Sequence, residues 1–330
     1  MAAPAAAAEA RASNFQTRLA SVEPAVPGLW FAVVEVGNRV EVVNRTGTDV
    51  VVLGYEGEPF LRVGPEGVFE NRRSPAAYLS RDRQATVPVP EDADPTAPAE
   101  WVRLGAGQVA RWYDHRVHWM GAEPPPAVRL DPAMRHVIIP EWTVAMRHGG
   151  REVTARGELV WVPGPSPVPW LMVSALPGGA LSLAWGSARW TGRRRPYHRL
   201  IAAGLAVAVG LSAVSTLARE GPQPVARLLP LAAAWLAGGA AVALLLRGRR
   251  APAGYTLAAV AAAVILVVGG SAGLADLSRS QVPSQLPAAA ARAAVALTLG
   301  VAAAVGVAAL AAAARPRPPK QAVEARGPTP

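Results

Sequence analysis

The sequence predicts a multi-domain α and β membrane protein, an antiparallel β-sandwich of immunoglobulin-like type followed by a bundle of five transmembrane helices. Three observations predict it. Short β-rich runs separated by Gly, Pro and Asn fill residues 15–162, long apolar stretches fill residues 168–314, and the basic residues flanking those stretches alternate in density from one connection to the next. The chain then divides into an Ala-rich, disordered start (1–12), a β domain (13–162), a Pro-containing linker (163–167), a helical domain (168–314) and a basic, disordered tail (315–330).

The start has no basic segment followed by an apolar core, so it is not a complete signal peptide. Residues 2–8 read instead as the remnant of a small-residue cleavage region. Candidate strands follow at 16–22, 29–36, 39–44, 49–55, 60–63, 67–70, 109–113, 137–147 and 152–162, each rich in β-branched residues and bounded by turn formers. Gly37-Asn38 has the composition of a two-residue hairpin turn, and Gly149-Gly150 is the clearest hairpin signal. Many short strands with regular turns imply an antiparallel sandwich. The acidic, Pro-rich run 88–99 reads as a surface loop, and Pro124-Pro125-Pro126 as a stiff connector.

The apolar stretches are 168–188, 200–218, 228–246, 253–275 and 288–314. Each approaches the roughly 20 residues that a helix needs to cross a bilayer. The first carries Pro169, Pro177, Gly178 and Gly179, so it is the weakest of the five. Trp170 at one end and Trp185 and Trp190 at the other suit an aromatic belt. Twelve Lys or Arg flank the connections after the first and third stretches and the tail, against four on the other side (Arg219, Arg227, Arg279 and Arg292). Lys and Arg concentrate on the cytoplasmic side. The expected arrangement is a cell membrane protein with an extracytoplasmic β domain and a cytoplasmic C-terminus.

Residues 1–167 hold 17 Arg and 20 acids, and residues 168–330 hold 16 Lys or Arg and 3 acids. The net charge of +10 therefore belongs to the ends of the apolar stretches, which suits anionic lipid headgroups and argues against nucleic acid as a partner. The chain has no Cys, which excludes disulfides and thiolate chemistry. Within the five stretches there is no His, Asp or Glu, and Arg292 is expected to snorkel outward. Gly204, Gly210, Gly238, Gly239, Gly269, Gly270, Gly300 and Gly306 suit close helix packing. Both features favour an anchor over a proton-coupled conduit.

Four runs succeed one another in the β domain. They are Asn44-Arg45-Thr46-Gly47, Gly54-Tyr55 with Gly57-Glu58-Pro59-Phe60, Asn71-Arg72-Arg73-Ser74-Pro75-Ala76 with Tyr78, and Asp114-His115-Arg116 with His118-Trp119-Met120. In combination they make residues 13–190 resemble an uncharacterised family of high-GC Gram-positive bacteria that has a secreted β domain and a hydrophobic C-terminal region. The resemblance implies layout and no activity. The chain departs from that layout at its start, which lacks the signal segment.

Two clusters are candidate sites. Asp114, His115, His118 and Met120 offer imidazole, carboxylate and thioether groups that suit copper. In an extended strand, however, positions 115 and 118 face opposite ways, so a shared metal requires a turn at Arg116-Val117. The bland reading buries these His residues in hydrogen bonds. Arg72, Arg73, Tyr78 and Arg81 form the second cluster, suited to a carboxylate, phosphate or glycan, or else to ion pairs with Glu66, Glu70 and Asp82. His136 stands apart, and His148, beside its turn, is expected to face solvent. No hydrolase elbow, phosphate loop, zinc-protease motif or dinucleotide fingerprint is present, and the Glu56/Glu58 pair is expected by chance.

The resulting expectation is a non-enzymatic, membrane-anchored binding or interaction module without a cofactor. Its partners are the lipid bilayer and a membrane or cell-surface protein. The alternative is copper or other metal trafficking through His115, His118 and Met120.

Overall fold

The computed structural model describes residues 11–190, 195–247 and 251–314. The start to residue 10, the basic connections 191–194 and 248–250 and the tail from residue 315, which carry much of the charge argument, lie outside the described residues. The described residues divide into two compact units, one within residues 11–170, 214–228 and 271–295, the other within residues 171–213, 229–270 and 296–314.

In the first unit, ten strands run in chain order as β1 (Phe15–Glu23), β2 (Leu29–Val34), β3 (Arg39–Asn44), β4 (Val50–Leu53), β5 (Pro59–Gly64), β6 (Gly67–Asn71), β7 (Trp101–Gly105), β8 (Val109–Trp112), β9 (His136–His148) and β10 (Arg151–Trp161). Short helices α1 (Ala76–Leu79) and α2 (Pro126–Leu130) interrupt them. One sheet has seven strands in the order β1-β10-β9-β4-β5-β6-β7, the other three in the order β2-β3-β8. Every pairing is antiparallel.

The alternation that predicts strands also builds the core. In β3, Val40, Val42 and Asn44 turn inward while Arg39, Glu41 and Val43 turn away. Val40 and Val42 meet Phe31 and Trp112 from their own sheet and Val50, Val52, Phe60, Trp142, Val144 and Met146 from the other in one apolar cluster. Seven strands facing three is not the four-against-three division of an immunoglobulin constant-type domain. The expected immunoglobulin-like arrangement is therefore replaced by a two-sheet antiparallel domain with its own strand order.

Gly149 and Gly150 take φ of 56° and 80° between the paired His148 and Arg151, a two-residue turn open to successive left-handed residues. The Gly37-Asn38 turn is longer than expected. Val34 pairs with Arg39, so Glu35, Val36, Gly37 and Asn38 all lie in the loop. Glu35 and Val36 have φ of 54° and 59°, an unusual state for a β-branched residue. Strand β7, which the sequence does not signal, adds the outermost strand beside β6.

The connections 214–228 and 271–295 belong to this same unit. Ser13 bridges Gln281 through backbone bonds of 3.2 and 2.9 Å, the Gln281 side chain donates to the Phe15 carbonyl, and the Ser280 amide donates to Asn14 Oδ1 at 2.8 Å. Arg219 pairs with Asp276 at 2.9 Å, both nearly fully buried. Arg292 does not snorkel: it is buried, and donates from Nε to the Asp276 carbonyl at 3.0 Å and from a terminal nitrogen to the Arg279 carbonyl at 2.7 Å.

The helices are α3 (Val168–Trp190), α4 (Arg195–Leu217), α5 (Val225–Arg247), α6 (Ala251–Val264), α7 (Gly270–Gly273) and α8 (Ala288–Ala313). A π-turn at Ile265–Gly269 and a 3-10 turn at Leu274–Leu277 continue α6. Among the described residues four segments are long and apolar enough to cross a membrane, namely Tyr197–Leu217, Val225–Arg247, Pro252–Leu277 and Ala288–Ala313; the apolar part of α3, Val168–Ala184, is shorter. Such surfaces suit lipid contact. His198 and Asp276 fall just inside the ends of these segments, which reach beyond the stretches 200–218 and 253–275 read from the sequence.

Within the second unit, Ala, Leu and Val side chains of α4, α5, α6 and α8 form one core. A Cβ at Gly300 of α8 would overlap the Ser174 carbonyl oxygen of α3, so the small residue admits that backbone to close approach. Tyr197 donates to the Ala308 carbonyl at 3.0 Å, and the Trp235 indole donates to Ser212 Oγ at 3.1 Å.

Candidate functional site

Beyond β8 the chain turns, with the Val117 amide donating to the Asp114 carbonyl at 3.2 Å. The turn brings His115 and His118 to one place, their rings meeting edge to face at 5.3 Å between centroids. Asp114, fully buried, accepts the Trp112 indole hydrogen at 2.9 Å and bonds of 2.8 and 2.7 Å from the Arg116 Nε and terminal nitrogen. Burial alone would raise its carboxyl; the Arg116 hydrogen bonds and charge more than offset this and hold it below the ordinary value. Arg116 also reaches the carbonyls of Gly54 and Leu53 at 3.2 and 3.3 Å.

The two imidazoles are likewise tied into the backbone. Nε2 of His115 donates to the Asp82 carbonyl and Nε2 of His118 to the Arg83 carbonyl, each at 3.1 Å. Burial pushes His118 down to about 4, so the ring is neutral at physiological pH. Met120 is exposed. Among the described residues no group of three or more His, Asp or Glu side chains is arranged to hold a metal ion. The oxygens of Asp114 are occupied by Arg116 and Trp112.

The other motif runs are also internal anchors. Asn44 donates to the carbonyls of Thr48 and Val63 at 2.7 Å each and accepts from the Thr46 amide. Asn71 donates to the Pro59 carbonyl and accepts from the amides of Arg73 and Glu100. Ser74 donates to Glu58 at 2.5 Å, both side chains buried. Each satisfies a buried backbone or side-chain group that would otherwise lose its water without replacement.

The Arg cluster divides. Arg73 turns to Glu100 and Asp92, at 3.4 and 3.9 Å. Arg72 and Arg81 line a cavity of about 640 Å³ whose walls come from β5, β6, β7, β8 and α1. It lies where β7 and β8, the outermost strands of the two sheets, stand without a further strand beside them among the described residues. Phe60, Leu61, Val68 and Trp112 make a buried apolar floor, and the exposed Leu104 and Val109 extend it to the mouth. Tyr78 is not in the lining; its hydroxyl donates to the Arg72 carbonyl at 3.2 Å, and its ring lies 4.8 Å beneath the Arg81 guanidinium.

The charged lining consists of Arg39, Arg72, Arg81, Arg111 and Glu70. Arg81 pairs with Glu70 at 3.2 Å, as the ion-pair alternative required, whereas Glu66 accepts from Arg103 through its carbonyl. Arg39 pairs with Glu35 at 3.5 Å and lies over the Tyr113 ring, and Arg111 pairs with Glu41. Among the described residues the Arg72 guanidinium makes no hydrogen bond or ion pair, although its charge reaches Glu70. Burial raises the Glu70 carboxyl above its ordinary value, and the charges of Arg81 and Arg72 oppose that rise without cancelling it.

Sequence reading missed Arg39 and Arg111 because they join Arg72 and Arg81 only through sheet packing. His148 is half-buried and shares a 2.7 Å bond with Thr46, so it does not stand free in solvent. His136 donates to the Asp131 carbonyl at 2.6 Å. No protein-family model, curated protein or solved structure matches the chain.

Proposed function

We propose that the chain is a multi-pass membrane protein whose two-sheet domain lies outside the cytoplasm and binds a ligand in the cavity between β7 and β8. The observation that carries the binding role is that cavity. It has a buried apolar floor, a guanidinium without an ion-pair partner among the described residues, and a volume within the range of small-molecule sites. A non-enzymatic module fits best, because the buried motif residues Asn44, Glu58, Asn71, Ser74 and Asp114 are engaged in holding the loops of the domain.

The connectivity of the chain supports a reading with five crossings. The connection at residues 280–281 is bonded to residues 13–16 of the β domain, and four helices, α3 to α6, lie between them in the chain. A return to the same side needs an even number of crossings, so α3 must cross if α4, α5 and α6 do. At 23 residues and 1.5 Å each, α3 is about 34 Å long, enough for the hydrocarbon core. The excess of Lys and Arg on the other side then orients the β domain outward.

The Cys-free chain allows a direct test. In intact cells, Ser166→Cys should react with a membrane-impermeant maleimide, whereas Thr191→Cys should react only after permeabilisation. The reverse pattern would place the β domain inside. For the binding role, protein extracted in native nanodiscs should carry a small molecule by native mass spectrometry. Leu104→Glu at the cavity mouth should abolish it, and an unchanged bound mass would remove the cavity as the site.

A further inference from the structure

We infer that the β7–β8 cavity takes an anionic amphiphile, a single carboxylate or phosphate group joined to an apolar portion. This rests on the cavity being the ligand site, as proposed above, and adds the chemistry of the occupant. The apolar portion follows from the floor and the lips. Phe60, Leu61 and Trp112 are buried beneath the cavity, while Leu104 and Val109, 57% and 46% exposed, bring apolar surface to its mouth. A purely ionic ligand would leave that concave apolar surface in water, whereas hydrocarbon on the ligand would cover it.

The anionic group follows from the charge count at the polar wall. Arg81 is paired with Glu70 at 3.2 Å and steadied over Tyr78, and Arg72 has no such partner among the described residues. These three groups leave one positive charge in excess, on a planar fork that matches carboxylate and phosphate oxygens. A cation would meet that excess with the same sign. A neutral amphiphile would gain the floor and nothing from Arg72.

The test uses the full chain in nanodiscs of zwitterionic lipid, titrated calorimetrically with hexyl phosphate, hexanoate, inorganic phosphate, hexanol and hexyltrimethylammonium. Hexyl phosphate and hexanoate should bind at least about ten-fold more tightly than inorganic phosphate or hexanol, since each probe lacking one half loses one set of contacts. Arg72→Ala should weaken the two anionic amphiphiles by about ten-fold and leave hexanol unchanged, and Leu104→Glu should weaken both classes. Both side chains are exposed, and circular dichroism verifies that the variants keep their strands.

If hexanol or hexyltrimethylammonium binds as tightly as the anions and Leu104→Glu weakens it, the anionic class is overturned while the cavity stands. If inorganic phosphate matches hexyl phosphate, the apolar portion is overturned. Binding indifferent to both substitutions, or no binding by any probe, removes the cavity itself. Discs doped with phosphatidic acid separate the sources. Competition with hexyl phosphate identifies a membrane lipid headgroup, and undiminished affinity identifies a free solute, each in keeping with the proposal.

Discussion

Asp114 and Arg116, two residues apart, grip each other through paired bonds of 2.8 and 2.7 Å, and the same guanidinium ties the turn after β8 to the end of β4. The segment that looks most like a metal site is thereby a clasp. Asp114→Asn would leave Arg116, only 24% exposed, without its counter-charge. Unfolding stability should fall by about 3 kcal/mol, in the range for breaking a buried pair. The denaturant midpoint of the β signal checks this, and a loss below about 0.5 kcal/mol, the scatter of ordinary surface changes, would deny the clasp.

His118 makes the domain acid-sensitive. Unfolded, it takes up a proton near its ordinary value of 6.5; folded, burial delays this to about 4. The unfolded chain therefore binds more protons across that interval, and stability falls as pH drops through it, by on the order of 3 kcal/mol at its lower end. Above the interval the residue contributes no slope. His118→Gln, which keeps a donor for the Arg83 carbonyl, should flatten the stability profile between those two values.

Glu70 should tune the cavity in the opposite sense. Its carboxyl is raised by burial, so on acidification it loses its charge before ordinary carboxylates do and leaves Arg72 and Arg81 uncompensated. Affinity for hexyl phosphate, which keeps a negative charge throughout, should rise as pH falls through that region. Glu70→Gln should reproduce the gain at neutral pH, about three- to ten-fold for removing one nearby like charge, and abolish the dependence. Calorimetry at two pH values decides between these outcomes.

Asp276 pairs with Arg219 at 2.9 Å, and its carbonyl accepts from Arg292, in a buried cluster. Asp276→Asn keeps the shape and removes the carboxylate charge that faces Arg219 at 2.9 Å. The detergent-solubilised protein should lose about 3 kcal/mol or more of stability, as for other buried pairs left with one partner. Leucine at both 219 and 276 should recover part of that loss. A double variant less stable than the single one would argue against charge imbalance as the cause.

Much of the fold was legible because period-two alternation reports burial directly. Residues 39–44 and 109–112 alternate cleanly and are strands. Strand β7 escaped notice because most of its residues are exposed and no apolar alternation is imposed on it. Val36 misled in the other direction, since a β-branched residue suggests a strand and here takes a left-handed turn conformation. Asn44, Asn71, Glu58 and Asp114 drew attention as motif residues, and their chemistry is spent on neighbours inside the domain. The cavity could not be read in the sequence, because Arg39, Arg72 and Arg111 meet only once two sheets have formed and packed.

The Ser13–Gln281 bridge has a bearing on biogenesis. Strand β1 lies at the margin of its sheet, paired with β10 on one side only, and residues 280–281 bond to its beginning. Domains emerge from the ribosome in chain order. The two-sheet core can therefore assemble well before the segment that secures its first strand has been made. Until that connection is delivered, the start of β1 on its outer edge remains a docking template for other extended chains. The connection that follows α6 thus covers the start of the first strand, and a chain halted before residue 280 should be more prone to aggregation than its finished form.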